Sequence, residues 1–209
     1  MDESFWQARW RDGQIGFHEA RPNHFLQAHL SDLTLAPGDR VFVPLCGKAE
    51  DLDWLLGQGV QVAGAEFNRG AVEEVFARLG LQPQITDLGR VTRFQAQDLT
   101  LFVGNIFDLT AQELGPVDAL YDRAALVAMA PGDRARYVGH LHALTHGARQ
   151  LLISFDYDQS LRDGPPFAVG EQLVRDLYRD LYQITRLAAK EMPEAKRAPG
   201  IVEEVWLLS

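Results

Sequence analysis

Cysteine is nearly absent from the chain: Cys46 stands alone among 209 residues. It has no partner for an internal disulfide and cannot build a cysteine-rich zinc cluster, so a reducing, cytoplasmic setting is the expectation. Long apolar runs are missing too, and none approaches the roughly 18 residues that a membrane helix needs. The first residues, Met1-Asp2-Glu3-Ser4-Phe5-Trp6, are acidic where a secretory signal would be basic. Positive charge is in deficit, with 20 Lys and Arg against 29 Asp and Glu and a formal charge of −9. That balance lacks the basic footprint of a protein that tracks a phosphate backbone, so neither nucleic acid nor a membrane is an expected partner. Glycine is scarce where it would matter for a dinucleotide: the first strand-to-helix loop reads Pro44-Leu45-Cys46-Gly47-Lys48, with Gly47 alone in place of a G-x-G-x-x-G run.

What is present is the composition of a folded domain, 46% hydrophobic and 23% charged. The first 35 residues mix Phe5, Trp6, Trp10 and Phe17 with charge and histidine and show no clean period, which reads as an N-terminal cap or lid on an α/β core over 36–209. Within that core, Arg40 to Cys46 reads as a short buried strand, Glu50 to Gly57 as a helix, Val60 to Phe67 as a strand and Gly70 to Leu79 as a helix. Strand, helix, strand, helix implies parallel pairing. Val91 to Ala96 and Leu99 to Gly104 alternate around Gln97-Asp98 as a hairpin, the second running on to Phe107. Val117 to Tyr121 follows as a strand, then a helix opened by Pro131 and closed at His146-Gly147, a strand from Gln150 to Phe155, and a helix from Glu171 to Leu181. Gln183 to Ala189 and Ile201 to Leu208 fit a terminal antiparallel pair. The fold class expected is a single α/β domain over 1–209 with a mostly parallel, Rossmann-like sheet.

Ligands of such sheets bind outside the carboxyl ends of the strands, so the strand ends are the places to inspect. Glu66 is the most informative of these residues. A carboxylate at the end of the second strand can accept both hydroxyls of an adenosine ribose, and its separation from Leu45, 66 − 45 = 21 residues, matches the ~20 of a nucleoside site. With no phosphate cradle beside it, the ligand indicated is adenosine without a pyrophosphate. S-adenosylmethionine is the common cofactor of that description, which favours methyl transfer over hydride transfer. The other readings are an exposed loop Glu66, a Trp10 that only packs, and an Arg123 that only pairs with a carboxylate. Cys46 lacks a neighbouring histidine for nucleophilic work, and His142 and His146, spaced i, i+4, lack the Glu of H-E-x-x-H, so no metal is expected.

VFVPLCGKAEDLDWL, VAGAEFN, NIFDL, DRAALVAMAPGDR and SFDYD followed by GPPF, in this order, resemble the thiopurine S-methyltransferase family from Phe5 to the C-terminus. The resemblance implies a class I S-adenosylmethionine-dependent methyltransferase fold and transfer of a methyl group to the sulfur of thiopurines and related aromatic or heterocyclic thiols. It implies cofactor contacts from Trp10, Leu45, Glu66 and Arg123, with Ile106 beside the adenine and Gly47 and Asn105 at the same strand ends. Phe17 would stand near the acceptor under a closing cap, with Arg123 at the reacting centre. Asp122 and Asp156 are available as proton relays. The family's animal members have a second substrate-side arginine in the loop before the last strand, and Arg197 is the candidate for it here, without an unambiguous alignment. Reduced selenium or tellurium species are an alternative acceptor class, and a non-catalytic purine or cofactor sensor is an alternative of another kind. The expected partners are a small-molecule thiol or selenol and no second chain, so a monomer.

Overall fold

A computed structural model describes residues 3–16, 18–192 and 200–209. Its elements in chain order are helices α1 (Glu3–Arg11) and α2 (His24–His29), strand β1 (Arg40–Pro44), α3 (Glu50–Gly57), β2 (Gln61–Glu66), α4 (Arg69–Arg78), β3 (Gln84–Asp87), β4 (Thr92–Ala96), β5 (Leu99–Val103), α5 (Ala111–Leu114), β6 (Ala119–Arg123), α6 (Arg134–Thr145), β7 (Arg149–Asp156), α7 (Glu171–Tyr178), β8 (Ile184–Glu191) and β9 (Val202–Leu208). The strands form one nine-stranded sheet in the order β3-β4-β5-β2-β1-β6-β7-β9-β8. The central run β5-β2-β1-β6-β7 is parallel, and antiparallel strands flank it on both sides. The expected class, mostly parallel with an antiparallel C-terminal strand, is what the sheet shows.

Side chains alternate across each central strand and so feed two cores. On one face Val41, Val43 and Val62 pack with Leu52 and Leu55 of α3 and with Val72, Val75 and Phe76 of α4. On the other, Phe42, Ala63 and Leu120 pack with Tyr137 and Leu141 of α6 and with Val174 of α7. Trp206 of β9 is fully buried in the second core, where its indole N–H donates to Ser154 Oγ at 3.0 Å. Gly64 of β2 sits where backbone and side chains crowd: a Cβ there would lie 2.8 Å from both Cys46 Sγ and a Leu101 methyl.

The cap expected over the first 35 residues is only partly separate from the core. Phe25, Leu26 and Leu33 are buried in the same cluster as Val41 and Leu52, because α2 lays one apolar face on the sheet layer. The hairpin forms as expected, but β5 ends at Val103, and Ile106–Asp108 is a 3-10 turn capped by the Asn105 side chain, which accepts the Phe107 N–H at 3.0 Å. β6 begins later than expected and runs through Asp122 and Arg123. β3 was not expected at all.

Chain order reverses in space at β1: β2 lies on one side and β6 on the other. The crevice outside the carboxyl ends of β1 and β6 is therefore the topological switch point, where ligands of open α/β sheets bind.

Candidate functional site

The loop after β1 turns sharply. Leu45 has φ of 46° and Gly47 has φ of 53°. For leucine, that left-handed conformation costs roughly 1–2 kcal/mol and persists only when its surroundings hold it. They do so from β2: the Cys46 N–H donates to the Ala65 carbonyl at 3.0 Å, and the Gly47 N–H donates to Glu66 Oε2 at 3.0 Å. The other Glu66 oxygen accepts the Asn68 N–H at 2.8 Å. Glu66 thus staples the loop to the end of its own strand. It is 5% exposed, and burial raises its carboxyl pKa to about 7 against the lowering effect of the Asn68 and Gly47 N–H groups. The Phe67 N–H acts on the same carboxylate; a carboxylate offers about four acceptor positions, so these backbone contacts leave acceptor capacity for a ribose hydroxyl. The donor set fits S-adenosylmethionine in this respect, and a lone Gly47 does not fit a pyrophosphate.

Across the switch point, strand alternation places Tyr121 and Arg123 on one face of β6. Both meet Asp51 from the first turn of α3. Asp51 is buried, accepts the Asn23 N–H at 2.6 Å and the Tyr121 hydroxyl at 3.2 Å, and lies 3.8 Å from Arg123 Nη1. Burial raises its carboxyl pKa, with the charge of Arg123 opposing. Arg123 Nη2 is 3.0 Å from Glu19 Oε1 on the segment between α1 and α2. Burial works against the Arg123 charge, and Tyr121, Asp51, Glu19 and Glu203 outweigh it. A cleft lined by His18, Leu45, Gly47, Asp51, Tyr121 and Arg123 opens here. A second cavity lies beside it, lined by Glu19, Asn23, His24, Lys190, Met192 and Glu203. A larger groove lies at the amino ends of the strands, lined among others by Arg40, Gln61, Asp98 and Asp118, and holds none of the expected site residues.

The structure therefore brings Leu45, Gly47 and Glu66 together in one loop contact and sets Leu45, Gly47 and Arg123 around one cleft. Asn105 and Ile106 follow β5, the neighbour of β2; Ile106 is buried and its carbonyl contacts a His140 ring nitrogen at 2.7 Å. Trp10 is half-buried on α1. Phe17 and Arg197, expected on the acceptor side, lie outside the described residues. Asp122 is a correction. It faces the opposite core from Arg123, fully buried, accepting the Tyr137 hydroxyl at 2.9 Å and the Leu126 N–H at 3.1 Å, with burial raising its pKa to about 6. Asp122 anchors α6 and the loop before it. Burial also pushes the Cys46 thiol well up, which keeps it un-ionised and inert.

Glu19, Asn23, Asp51 and Tyr121 were missed by sequence reasoning. Tyr121 and Arg123, two apart at a strand end, share a face, and that spacing was the available signal. Asp51 is one of three acids, with Glu50 and Asp53, in the first turn of α3 and nothing in its spacing singles it out, and nothing in the N-terminal segment marked Glu19 or Asn23.

Comparison with known proteins bears on the whole chain. The family model described as "Thiopurine S-methyltransferase (TPMT)" matches residues 1–206. A thiopurine S-methyltransferase of Xanthobacter autotrophicus is 52% identical over 210 residues, covering 100% of this chain and 99% of the relative. One from Pseudomonas syringae pv. tomato is 44% identical over 216 residues, covering 100% and 98%. Among solved structures, the Burkholderia thailandensis 1,6-didemethyltoxoflavin-N1-methyltransferase, crystallised with S-adenosylhomocysteine, superposes with a TM-score of 0.64 at 16% identity, covering 99% of this chain and 86% of that one. A Methanosarcina mazei SAM-dependent methyltransferase gives 0.64 at 14% identity, covering 90% and 98%. At those identities the solved structures speak for the fold, a class I methyltransferase sheet. The full-length match to the family model and the close relatives go further: the chain belongs to the thiopurine S-methyltransferase family.

Proposed function

We propose that the switch-point crevice binds S-adenosylmethionine, with Glu66 accepting the ribose hydroxyls, Leu45 and Gly47 forming the wall beside it, Asn105 and Ile106 flanking the adenine, and Trp10 closing the site from α1. The chain is an S-adenosylmethionine-dependent enzyme that methylates the sulfur of thiopurines and related aromatic thiols. The observation that carries the site assignment is Glu66, buried at the end of β2, tied to the β1 loop through Gly47 and with acceptor capacity beyond its backbone contacts. When bound, the cofactor supplies an electrophilic methyl on its sulfonium. The work left to the protein is placement. An acceptor thiolate must lie in line with the departing carbon–sulfur bond in a site from which water is excluded, and positioning of that kind carries much of the rate. Arg123 is the cation at the crevice that favours the ionised acceptor. Aromatic thiols ionise readily, so no strong base is required, and Asp122 is not placed to be one. Phe17 is assigned to the acceptor side of this site, and Arg197 is its second candidate cation.

Among the described residues no helix is long and apolar enough to cross a membrane. The reading takes the protein as a monomer in a reducing cytoplasm, supported by the single buried Cys46. Incubation with methyl-labelled S-adenosylmethionine and a panel of aromatic thiols, thiopurines included, tests the reaction. Label transferred to acceptor sulfur is the expected result; binding of the cofactor without transfer to any of them overturns it.

A further inference from the structure

Arg123 is a buried cation with capacity left over. Its guanidinium has five N–H donors, its side chain is 8% exposed, and among the described residues its Nε has no hydrogen-bond partner. Asp51, the buried carboxylate on α3 beside it, stands off at 3.8 Å. The close anion is Glu19, 3.0 Å from Nη2, and it differs from Asp51 in kind. Its side chain is 42% exposed, and it belongs to the irregular segment between α1 and α2. Glu19 also lines the cavity next to the cleft, so it stands between that cavity and the guanidinium.

The charges around this cavity are lopsided. Glu19, Glu191 and Glu203 line it, with Asp51 just beyond Arg123, and Lys190 is the one lysine in its lining. Burial lowers the His24 pKa below its ordinary value, which keeps that ring uncharged near neutrality. Lys48, on the other wall of the cleft, is occupied by Glu74 at 2.5 Å.

We propose that Glu19 determines acceptor specificity by holding Arg123 from the acceptor side, so that the enzyme favours aromatic thiols without a second negative charge and disfavours those that carry a carboxylate. This rests on the methyl-transfer reading above. An acceptor whose one charge is the reacting sulfur leaves the Glu19–Arg123 pair intact. An acceptor with a ring carboxylate has to compete with Glu19 for the same guanidinium, in a cavity where carboxylates outnumber cations. Glu19 is in this sense a residue of the acceptor wall.

The test compares kcat/KM for thiophenol and for para-mercaptobenzoate at saturating S-adenosylmethionine, in the wild type, Glu19→Gln and Glu73→Gln. Glu73 is exposed on α4 beside Arg69 and lines neither the cavity nor the cleft, so its variant makes the same change in net charge outside their walls. Glu19→Gln is expected to raise the ratio of the carboxylate-bearing to the unsubstituted acceptor roughly tenfold, the scale of one nearby charge partly screened by solvent. Glu73→Gln is expected to leave that ratio within about twofold, since Glu73 is exposed, paired with Arg69 and screened by solvent. Glu19→Ala should move the ratio in the same direction as Glu19→Gln. An unchanged ratio in both Glu19 variants, or an equal loss for both acceptors, overturns the inference while leaving methyl transfer intact. A wild type that methylates neither thiol overturns the methyl-transfer reading, and the role of Glu19 with it.

Discussion

Glu66 closes the β1 loop through Gly47, and in the proposed cofactor site it also accepts the ribose hydroxyls; both tasks favour its ionised form. Burial opposes them and sets the ligand-free pKa at about 7. Hydroxyl donors from a bound nucleoside stabilise the carboxylate and lower that value, so binding expels a proton wherever Glu66 is still protonated. Calorimetry at pH ~6.5 in buffers of differing ionisation enthalpy should show net proton release on S-adenosylmethionine binding, with affinity rising as pH increases towards about 7. Glu66→Gln should abolish that linkage, and Glu66→Ala should weaken binding by about 1–3 kcal/mol. For folding the sign is the reverse. A carboxyl raised to about 7 favours the ligand-free fold most below its ordinary value of 4.5, and that contribution is lost as pH rises through about 7. Arg123 gives a second measurement at this scale. Lysine keeps the charge but loses the planar fork that spans Glu19 and Asp51, so Arg123→Lys is expected to lower kcat/KM by roughly 10 to 100-fold at unchanged Tm. Retained activity would reduce Arg123 to a point charge.

At the scale of elements, the parts of the fold that were legible are those whose burial imposes a period. β1 and β2 read as apolar runs because helices cover both faces, and α3 and α4 read from Leu52, Leu55, Val72, Val75 and Phe76 on one stripe. β3 could not be read. It is an edge strand of four residues, Gln84–Asp87, held only to β4 and largely exposed, so no core dictates its composition. The site divides the same way. Glu66, Gly47 and Arg123 could be proposed from the sequence because a parallel sheet delivers strand ends to one crevice, whereas Glu19 and Asn23 arrive on a segment without a period. The close approach of β1 and β2 is a feature only the assembled sheet shows. Gly64→Ala puts a methyl 2.8 Å from Cys46 Sγ and Leu101, neither at the end of a long flexible side chain, so it should cost about 1–3 kcal/mol in urea denaturation. Because Cys46 is in the cofactor loop, S-adenosylmethionine affinity should drop with it. The segment from α1 to Asn23 is the element expected to respond to ligands: its amides should gain hydrogen-exchange protection when S-adenosylhomocysteine and an acceptor are present together. Equal protection with and without them would remove the lid role assigned to this segment.

For the whole molecule, the crevice is made by parts that fold together but are distant in sequence. Asn23 binds Asp51 across 28 residues, Tyr121 binds Asp51 across 70, and the Glu66 staple joins two strands. In the proposed site, a ligand held by Leu45, Glu66 and Ile106 would tie elements from the middle of the sheet to one another, and its binding energy would add to global stability instead of to one loop. The size of the effect follows from linkage. At a concentration one hundred times its Kd, a ligand that binds only the native state adds about 2.7 kcal/mol. A domain of this length gains roughly 2–4 °C for each kcal/mol, so S-adenosylmethionine at that level should raise Tm by about 5–10 °C in a thermal scan. NAD at the same concentration should leave Tm where it was, because the Leu45-Cys46-Gly47 turn offers one glycine, and its Gly47 N–H is already committed to Glu66 rather than free for a pyrophosphate. Glu66→Gln should shrink the shift with the methyl donor while keeping the turn itself closed. A comparable rise with NAD, or none with S-adenosylmethionine, would move the cofactor site away from the switch point between β1 and β6.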